Sequence, residues 1–341
     1  MEAKKLETSQ TPTAKERLLR SISTLDGLGE VDSKIREKLT SEATLLQEIG
    51  TYLLNLGGKR MRPVLALMVG KAFGLTPPSQ DLIHVAAGIE LIHMATLLHD
   101  DIIDKSPVRR HKESAFIKYG VDNSLLAGDF LLTRAFSLCA HLDSFIIDET
   151  EKACIDLTEG EILEVPLYRA LHTVDSYLTI ARKKTASLFR LATISGTHLA
   201  GAGAQATEHM RRFGESLGLA FQILDDILDV TADENLLGKK SGMDLKERKP
   251  SIVNVLWLNS GNPLAKKLLL PPGAEEEEFC TAALKELKQS PVIEQASALA
   301  ASYSADAEQA LHSAAKSAKN VSLDVFDELQ SVVDYTTRRL E

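Results

Sequence analysis

The sequence predicts an all-α fold in one domain, on three observations. Apolar residues recur at helical spacing almost throughout. Ala, Leu, Ile and Glu dominate, while alternating β-branched stretches are scarce. Chain breakers fall at intervals that suit helix connections: Gly57-Gly58, Thr76 through Ser79, Ser106-Pro107, Gly120, Gly201 through Gly203, Gly242 and Pro271 through Gly273. Pro107 disfavours a helical backbone at Ser106, so the preceding helix should end there and leave Arg109 and Arg110 on a loop. Glu275 to Glu278 follow Pro-Pro-Gly and read as a solvated first helical turn, where acids suit the dipole. No linker divides the chain. Residues 1–25 are expected as a loose lead-in and 26–341 as the domain.

With 341 residues, 44% of them hydrophobic, the chain is long enough to bury a large core. A net charge of −9 argues against a general nucleic-acid binder. The three cysteines, Cys139, Cys154 and Cys280, are widely spaced and show no metal-binding pairing, as expected in a reducing compartment. The first thirty residues mix acids and bases without a signal-peptide core. No run of about eighteen apolar residues occurs, so no transmembrane helix is expected. These readings point to the cytoplasm.

Functional residues stand out at LLHDDIIDKSPVRRHK. On a helix, Asp100, Asp101 and Asp104 lie at about 0°, 100° and 40° around the axis. All three carboxylates are therefore expected on one arc, with Ile102 and Ile103 turned away. The stretch FQILDDILDV repeats the spacing with Asp225, Asp226 and Asp229. Carboxylates crowded among apolar residues would take up protons or destabilise the fold. A hard divalent cation relieves this, and oxygen-only ligands beside phosphate suit Mg²⁺. Basic residues accompany both clusters. GGKRMRP presents Lys59, Arg60 and Arg62; Arg109 and Arg110 follow the first cluster; Lys239, Lys240, Lys246 and Lys249 follow the second. Carboxylate-bound Mg²⁺ beside Arg and Lys is a recurrent way to hold a diphosphate. His93 precedes Asp100 by two turns and shares its face.

In order along the chain, GGKRMRP, ELIHMATLLHDDIID, RR, GDFLLTRAF, GEI, KTASLF, FQILDDILD and GKKSGMDLKERKP resemble the blocks of the trans-polyprenyl diphosphate synthases. The resemblance is strong over residues 45–255 and weak in the C-terminal helices. It implies antiparallel helices around a central cavity, with the two aspartate-rich helices facing across its mouth. It also implies Mg²⁺-dependent condensation of isopentenyl diphosphate with an allylic prenyl diphosphate, in a homodimer. Carried over by motif, Lys59, Arg62, His93 and Arg110 would hold isopentenyl diphosphate. Arg109, Lys184 and Lys239 would hold the allylic diphosphate, Asp100, Asp104 and Asp225 the metal, and Thr185 and Gln222 would stabilise the nascent cation. This chain departs from the family's usual pattern at His111 (often Gly), Glu164 (often Gln), and Arg248 and Ser251 (Gly and Thr).

In this family a bulky aromatic four or five residues before the first cluster shortens the product. Here those positions are Thr96 and Ala95, so a flank of Ala95, Ile92 and Ile89 is expected to admit a chain of about thirty carbons or more. Phe130 and Phe136 are candidate floors. The alternatives are a short-chain synthase making farnesyl or geranylgeranyl diphosphate, a class I terpenoid cyclase, and a non-catalytic regulatory subunit. A cyclase needs no second diphosphate site, and a regulatory subunit commonly lacks one acid cluster.

Overall fold

The computed structural model describes residues 13–58, 60–232 and 241–337. The chain begins with α1 (Ala14–Ser23), α2 (Leu28–Lys38), α3 (Thr44–Asn55), α4 (Met61–Ala72) and α5 (Gln80–Ile103). A hairpin of β1 (Val108–Arg109) and β2 (Lys112–Glu113) follows, then α6 (Ala115–Tyr119), α7 (Val121–Cys139), α8 (Ser144–Leu163) and α9 (Val174–Ala181). A π turn at Arg182–Ala186 leads directly into α10 (Ser187–Leu199), followed by α11 (Ala204–Thr231), α12 (Met243–Lys246) and α13 (Ile252–Asn259). After a 3₁₀ turn at Ala265–Leu269 come α14 (Glu276–Leu287), α15 (Pro291–Ser317) and α16 (Leu323–Thr337).

Local chemistry starts these helices where they start. Ser79 caps α5 by accepting from Leu82 N, and Asp143 caps α8 through Ile146 N. Thr13 and Glu16 form a reciprocal capping box on α1. Within the expected lead-in, residues 14–23 are helical. α1 buries Leu18 and packs on α16, where Arg17 pairs with Asp334 at 2.9 Å.

α5 packs against α2, α4, α7 and α10, and its interior is apolar on nearly every side. Among the described residues it is the one helix long and apolar enough to cross a membrane by length and composition, and most of it lies inside the bundle. α11 carries the second acid cluster and packs against α10 and α15. Two apolar cores result. One joins α1 through α8 to α10, α15 and α16; the other gathers α9, the C-terminal half of α11, α13, α14 and the start of α15.

α5 stops at Ile103, just ahead of Ser106-Pro107. The arginine pair beyond it sits on the β1–β2 hairpin rather than an open loop. Arg110 and His111 form its apex with φ of +50° and +64°. Two successive positive-φ residues suit the right-handed twist of paired strands. That geometry explains why glycine would serve at position 111.

Candidate active site

A cavity of about 770 Å³ opens between the C-terminal half of α5 and the C-terminal half of α11. His93, Thr96, Leu97, Asp100 and Asp104 line it from α5; Phe221, Gln222, Asp225, Asp226 and Asp229 line it from α11. The two acid clusters therefore meet across one cavity.

The first cluster does not act as a trio. Asp101 is 1% exposed and turned from the cavity, where it grips Arg109: Nε donates to both carboxylate oxygens at 2.8 Å, and Nη2 lies 2.7 Å from Oδ1. The physical reason is rotational, because a step of about 100° from Asp100 takes residue 101 off the arc that Asp104 shares. Asp100 remains on the cavity wall, where burial pushes its pKa up to about 7. Lys249 Nζ holds Asp104 Oδ2 at 2.7 Å.

All three acids of the second cluster reach the wall, and both Asp226 and Asp229 are buried. Asp226 accepts from Gln222 Nε2 at 2.8 Å and from Ile252 N at 3.0 Å. Burial lifts its pKa to about 7 despite those donors. Asp229 accepts from Asp244 N at 3.1 Å and from Gly242 N through its backbone carbonyl at 2.7 Å, anchoring the start of α12 to α11.

Lys184 and Thr185 reach the same space from the π turn, a local widening often found at functional sites. Two glycines admit this turn between neighbouring helices. A Cβ on Gly160 would lie 2.7 Å from Lys184 Cγ, and one on Gly218 would lie 2.5 Å from Ala186 Cα. Lys184 Nζ sits 2.6 Å from both Glu161 and Glu164, whose charges raise its pKa against the cost of burial. Glu164 thus neutralises an active-site lysine. Thr185 Oγ1 donates to Gln222 Oε1 at 2.5 Å, which links the π turn to Asp226.

A basic wall lies on the other side. Arg62 stacks 5.1 Å over the Phe189 ring, and its Nε has no hydrogen-bond partner among the described residues. Burial holds the His93 pKa well below the ordinary imidazole value, and the fields of Arg62, Arg110, Arg109 and Arg60 depress it further. His93 is therefore a neutral imidazole among guanidinium groups. Arg110 packs on Gly58, where a Cβ would come within 2.7 Å of Nη1. Arg60 serves a different purpose from Arg62: its Nη1 donates to buried Glu90 at 2.8 Å, and its Nη2 to Leu54 O at 3.2 Å. Lys59 and Lys239 lie outside the described residues.

Lys249 owes its position to a residue unusual in the sequence. Arg248 has a φ of +59° and is 3% exposed, with Nη1 and Nη2 donating to Glu276 at 2.6 and 2.8 Å. Its Nη1 also donates to Leu245 O, and the guanidinium lies 4.6 Å over the Phe279 ring. Glu276 is therefore no solvated helix start: it clamps the loop that presents Lys249. Ser251 caps α13 through Asn254 N, a task threonine would also perform.

Sequence reasoning misplaced the cavity floor. Phe136 is 45% exposed, and Phe130 packs under Arg134; neither lines the cavity. The aromatics that do line it are Phe189 and Phe221, with ring centroids 5.4 Å apart, and Tyr335 of α16. Ala95, Ile92 and Ile89 are packed in the core. Ala95 lies about 140° around α5 from Asp100, whereas Thr96 lies about 40° away and forms the wall. Tyr177, also on the wall, had no signal beyond helical spacing.

The comparisons agree with this geometry. Residues 43–289 match the polyprenyl synthetase family model. The chain belongs to the polyprenyl synthetase family. The synthase is 36% identical over 242 residues to an octaprenyl diphosphate synthase of Escherichia coli, covering 70% of this chain and 74% of that one. It is 40% identical over 228 residues to a geranyl-diphosphate-specific all-trans-nonaprenyl-diphosphate synthase of Rhodobacter capsulatus, covering 65% and 68% of the two chains. The crystal structure of a Caulobacter crescentus polyprenyl synthase, complexed with calcium and isoprenyl diphosphate, superposes with a TM-score of 0.86 at 29% identity, covering 97% of this chain and 99% of that one. The synthase is a trans-prenyltransferase with the all-α fold of these proteins.

Proposed function

We propose that the synthase joins isopentenyl diphosphate to an allylic prenyl diphosphate with Mg²⁺ bound at Asp100, Asp104 and Asp225. The donor set fits this ion: hard carboxylate oxygens face one another across the cavity, and two of the acids, Asp100 and Asp226, are lifted to about 7 by burial. When bound, the metal neutralises charge on the leaving diphosphate. Arg109, Lys184 and Lys239 hold that allylic diphosphate.

The observation that carries the reading is the second anion pocket. Arg62 presents a guanidinium with no hydrogen-bonded partner at Nε, beside neutral His93 and within reach of the Arg110 field. With Lys59 these residues receive the diphosphate of isopentenyl diphosphate, and His93 donates a hydrogen bond to it without adding charge. Thr185 Oγ1 and Gln222 Oε1 turn oxygen dipoles towards the allylic carbon as its C–O bond breaks. Apolar lining residues such as Leu97, Phe189 and Phe221 keep water from quenching the cation.

The reading is tested with labelled isopentenyl diphosphate and a series of allylic primers. Chain elongation that needs both substrates is expected. Turnover of an allylic diphosphate alone would indicate a cyclase, and activity only after a partner is added would indicate a regulatory subunit.

We place the product at about thirty carbons or more, on the small Thr96 wall and the likeness to octaprenyl and nonaprenyl synthases. Thr96→Phe should shorten the main product on reverse-phase chromatography. Ala95→Phe should instead cost about 1–3 kcal/mol of stability by overpacking the core, with chain length unchanged.

A homodimer is proposed on the exposed Leu125, Leu126 and Phe136 of α7 and Ile147, Ile155 and Ile162 of α8. Light scattering should give twice the monomer mass. A cytoplasmic location agrees with three unpaired thiols. The catalytic domain is taken as residues 26–341, with α1 as an N-terminal brace.

A further inference from the structure

At the end of α5 remote from the cavity, three potential ligands converge from separate parts of the chain. Asp81 and His84 are spaced i, i+3 on the first turns of α5 and share a face. His141 comes from the turn between α7 and α8. His84 Nδ1 lies 3.1 Å from His141 Nε2, and that nitrogen lies 3.7 Å from Asp81 Oδ1. All three ligand atoms fall within 4.8 Å of one another. The approach is built in by packing: a Cβ on Gly88, one turn beyond His84, would lie 3.3 Å from Cys139 Sγ. α5 and α7 can therefore close until the imidazoles meet.

We propose that Asp81, His84 and His141 form a three-ligand site for a zinc-class divalent cation, separate from the carboxylate centre. A tetrahedral ion bound at about 2.0–2.1 Å spaces its ligands about 3.3 Å apart, close to the two separations found here. Two imidazoles and one carboxylate leave a fourth position for water, and their softness selects late first-row metals over Mg²⁺. Lys34 and Lys38 on α2 also act on His84, opposed by Asp81. Lys34 is itself paired to Glu37 at 2.7 Å, which moderates its repulsion of an incoming cation. His84 lies sixteen residues from Asp100, roughly 24 Å along the helix. An ion here would tie the α7–α8 turn to the start of α5 without touching the reacting groups.

The test uses the full chain saturated with Mg²⁺ and titrated with Co²⁺ as a spectroscopic stand-in for Zn²⁺. A strong visible band of tetrahedral Co²⁺ should saturate at one equivalent and vanish on adding Zn²⁺, and Zn²⁺ should raise the melting temperature. His84→Ala and His141→Ala should each weaken binding by at least about tenfold, since loss of outer-shell partners alone costs that much. Both variants should keep prenyl transfer, which shows that they fold. Three results would overturn the site: only the pale spectrum of the aquo ion, a band that survives in the double variant, or a band removed by Asp100→Asn.

Discussion

The two acid clusters have identical spacing on two apolar helices, yet their middle residues meet opposite fates. Asp101 leaves the cavity and is satisfied by a full positive charge, the Arg109 guanidinium. Asp226 stays at the wall and is satisfied mainly by neutral donors, Gln222 Nε2 and Ile252 N. In the first arrangement burial raises the Asp101 pKa and the Arg109 guanidinium opposes that rise, so the pair braces the hairpin carrying Arg109 and Arg110. The second leaves an acid whose charge is poorly compensated until a cation arrives. One motif therefore contains both a structural anchor and a charge reservoir, and the neighbouring element decides which.

The largest expected effect falls on what the clusters share. Asp100→Asn and Asp225→Asn should each lower kcat/KM by roughly 10²–10³, the usual loss for one electrostatic stabiliser, in labelled-substrate assays with excess Mg²⁺. Comparable loss in Asp101→Asn with unchanged stability would break the contrast drawn above.

Stability should separate the middle residues. Asp101→Asn strands Arg109 and should cost about 3 kcal/mol in a denaturant titration. Asp226→Asn removes a poorly compensated charge, so the metal-free protein should become more stable near neutral pH.

The pH dependence follows from the same difference. Burial raises Asp100 and Asp226 from 3.8 to about 7. Between these values the folded state holds protons that the unfolded chain has released. Metal-free stability should therefore fall as pH rises from about 4 to 7. Mg²⁺ should raise the melting temperature more above that window than at its acid end. An equal gain at both ends would dissociate the two acids from the metal site.

The smallest effect concerns the link between clusters. Lys249 leaves the loop beyond α11 to hold Asp104 of α5, on a backbone fixed by Arg248 and Glu276. Glu276→Gln should weaken Mg²⁺ activation by a few-fold, about 1 kcal/mol through one altered charged hydrogen bond, with Arg248→Gly partly restoring it in the double variant. An unchanged Mg²⁺ titration would show that the clamp serves stability alone.

Much of the site was legible because its chemistry is local. His93, Asp100 and Asp104 share an arc of α5 by helical geometry, and all three line the cavity. Lys184, Thr185 and Gln222, carried over from the KTASLF and FQILDDILD blocks by resemblance, also converge there. Ala95 was misread because proximity along the chain was taken for proximity to the wall. Phe130 and Phe136 failed because an aromatic on an amphipathic helix gives no sign of which partner its face meets. Glu276 looked like ordinary helix-dipole chemistry, and its buried partner lies 28 residues away in sequence.

The sequence by itself determined the helices, their ends and the paired acid motifs, since periodicity, breakers and spacing act over a few residues; the family of reaction came from the ordered blocks that resemble the trans-polyprenyl diphosphate synthases. Only the tertiary structure decided which carboxylates in each cluster face the cavity, which aromatics line it, and that Arg248 and Glu276 support Lys249. Those outcomes depend on burial and on partners distant in sequence. The free energy of a charge or ring is set by what surrounds it in space.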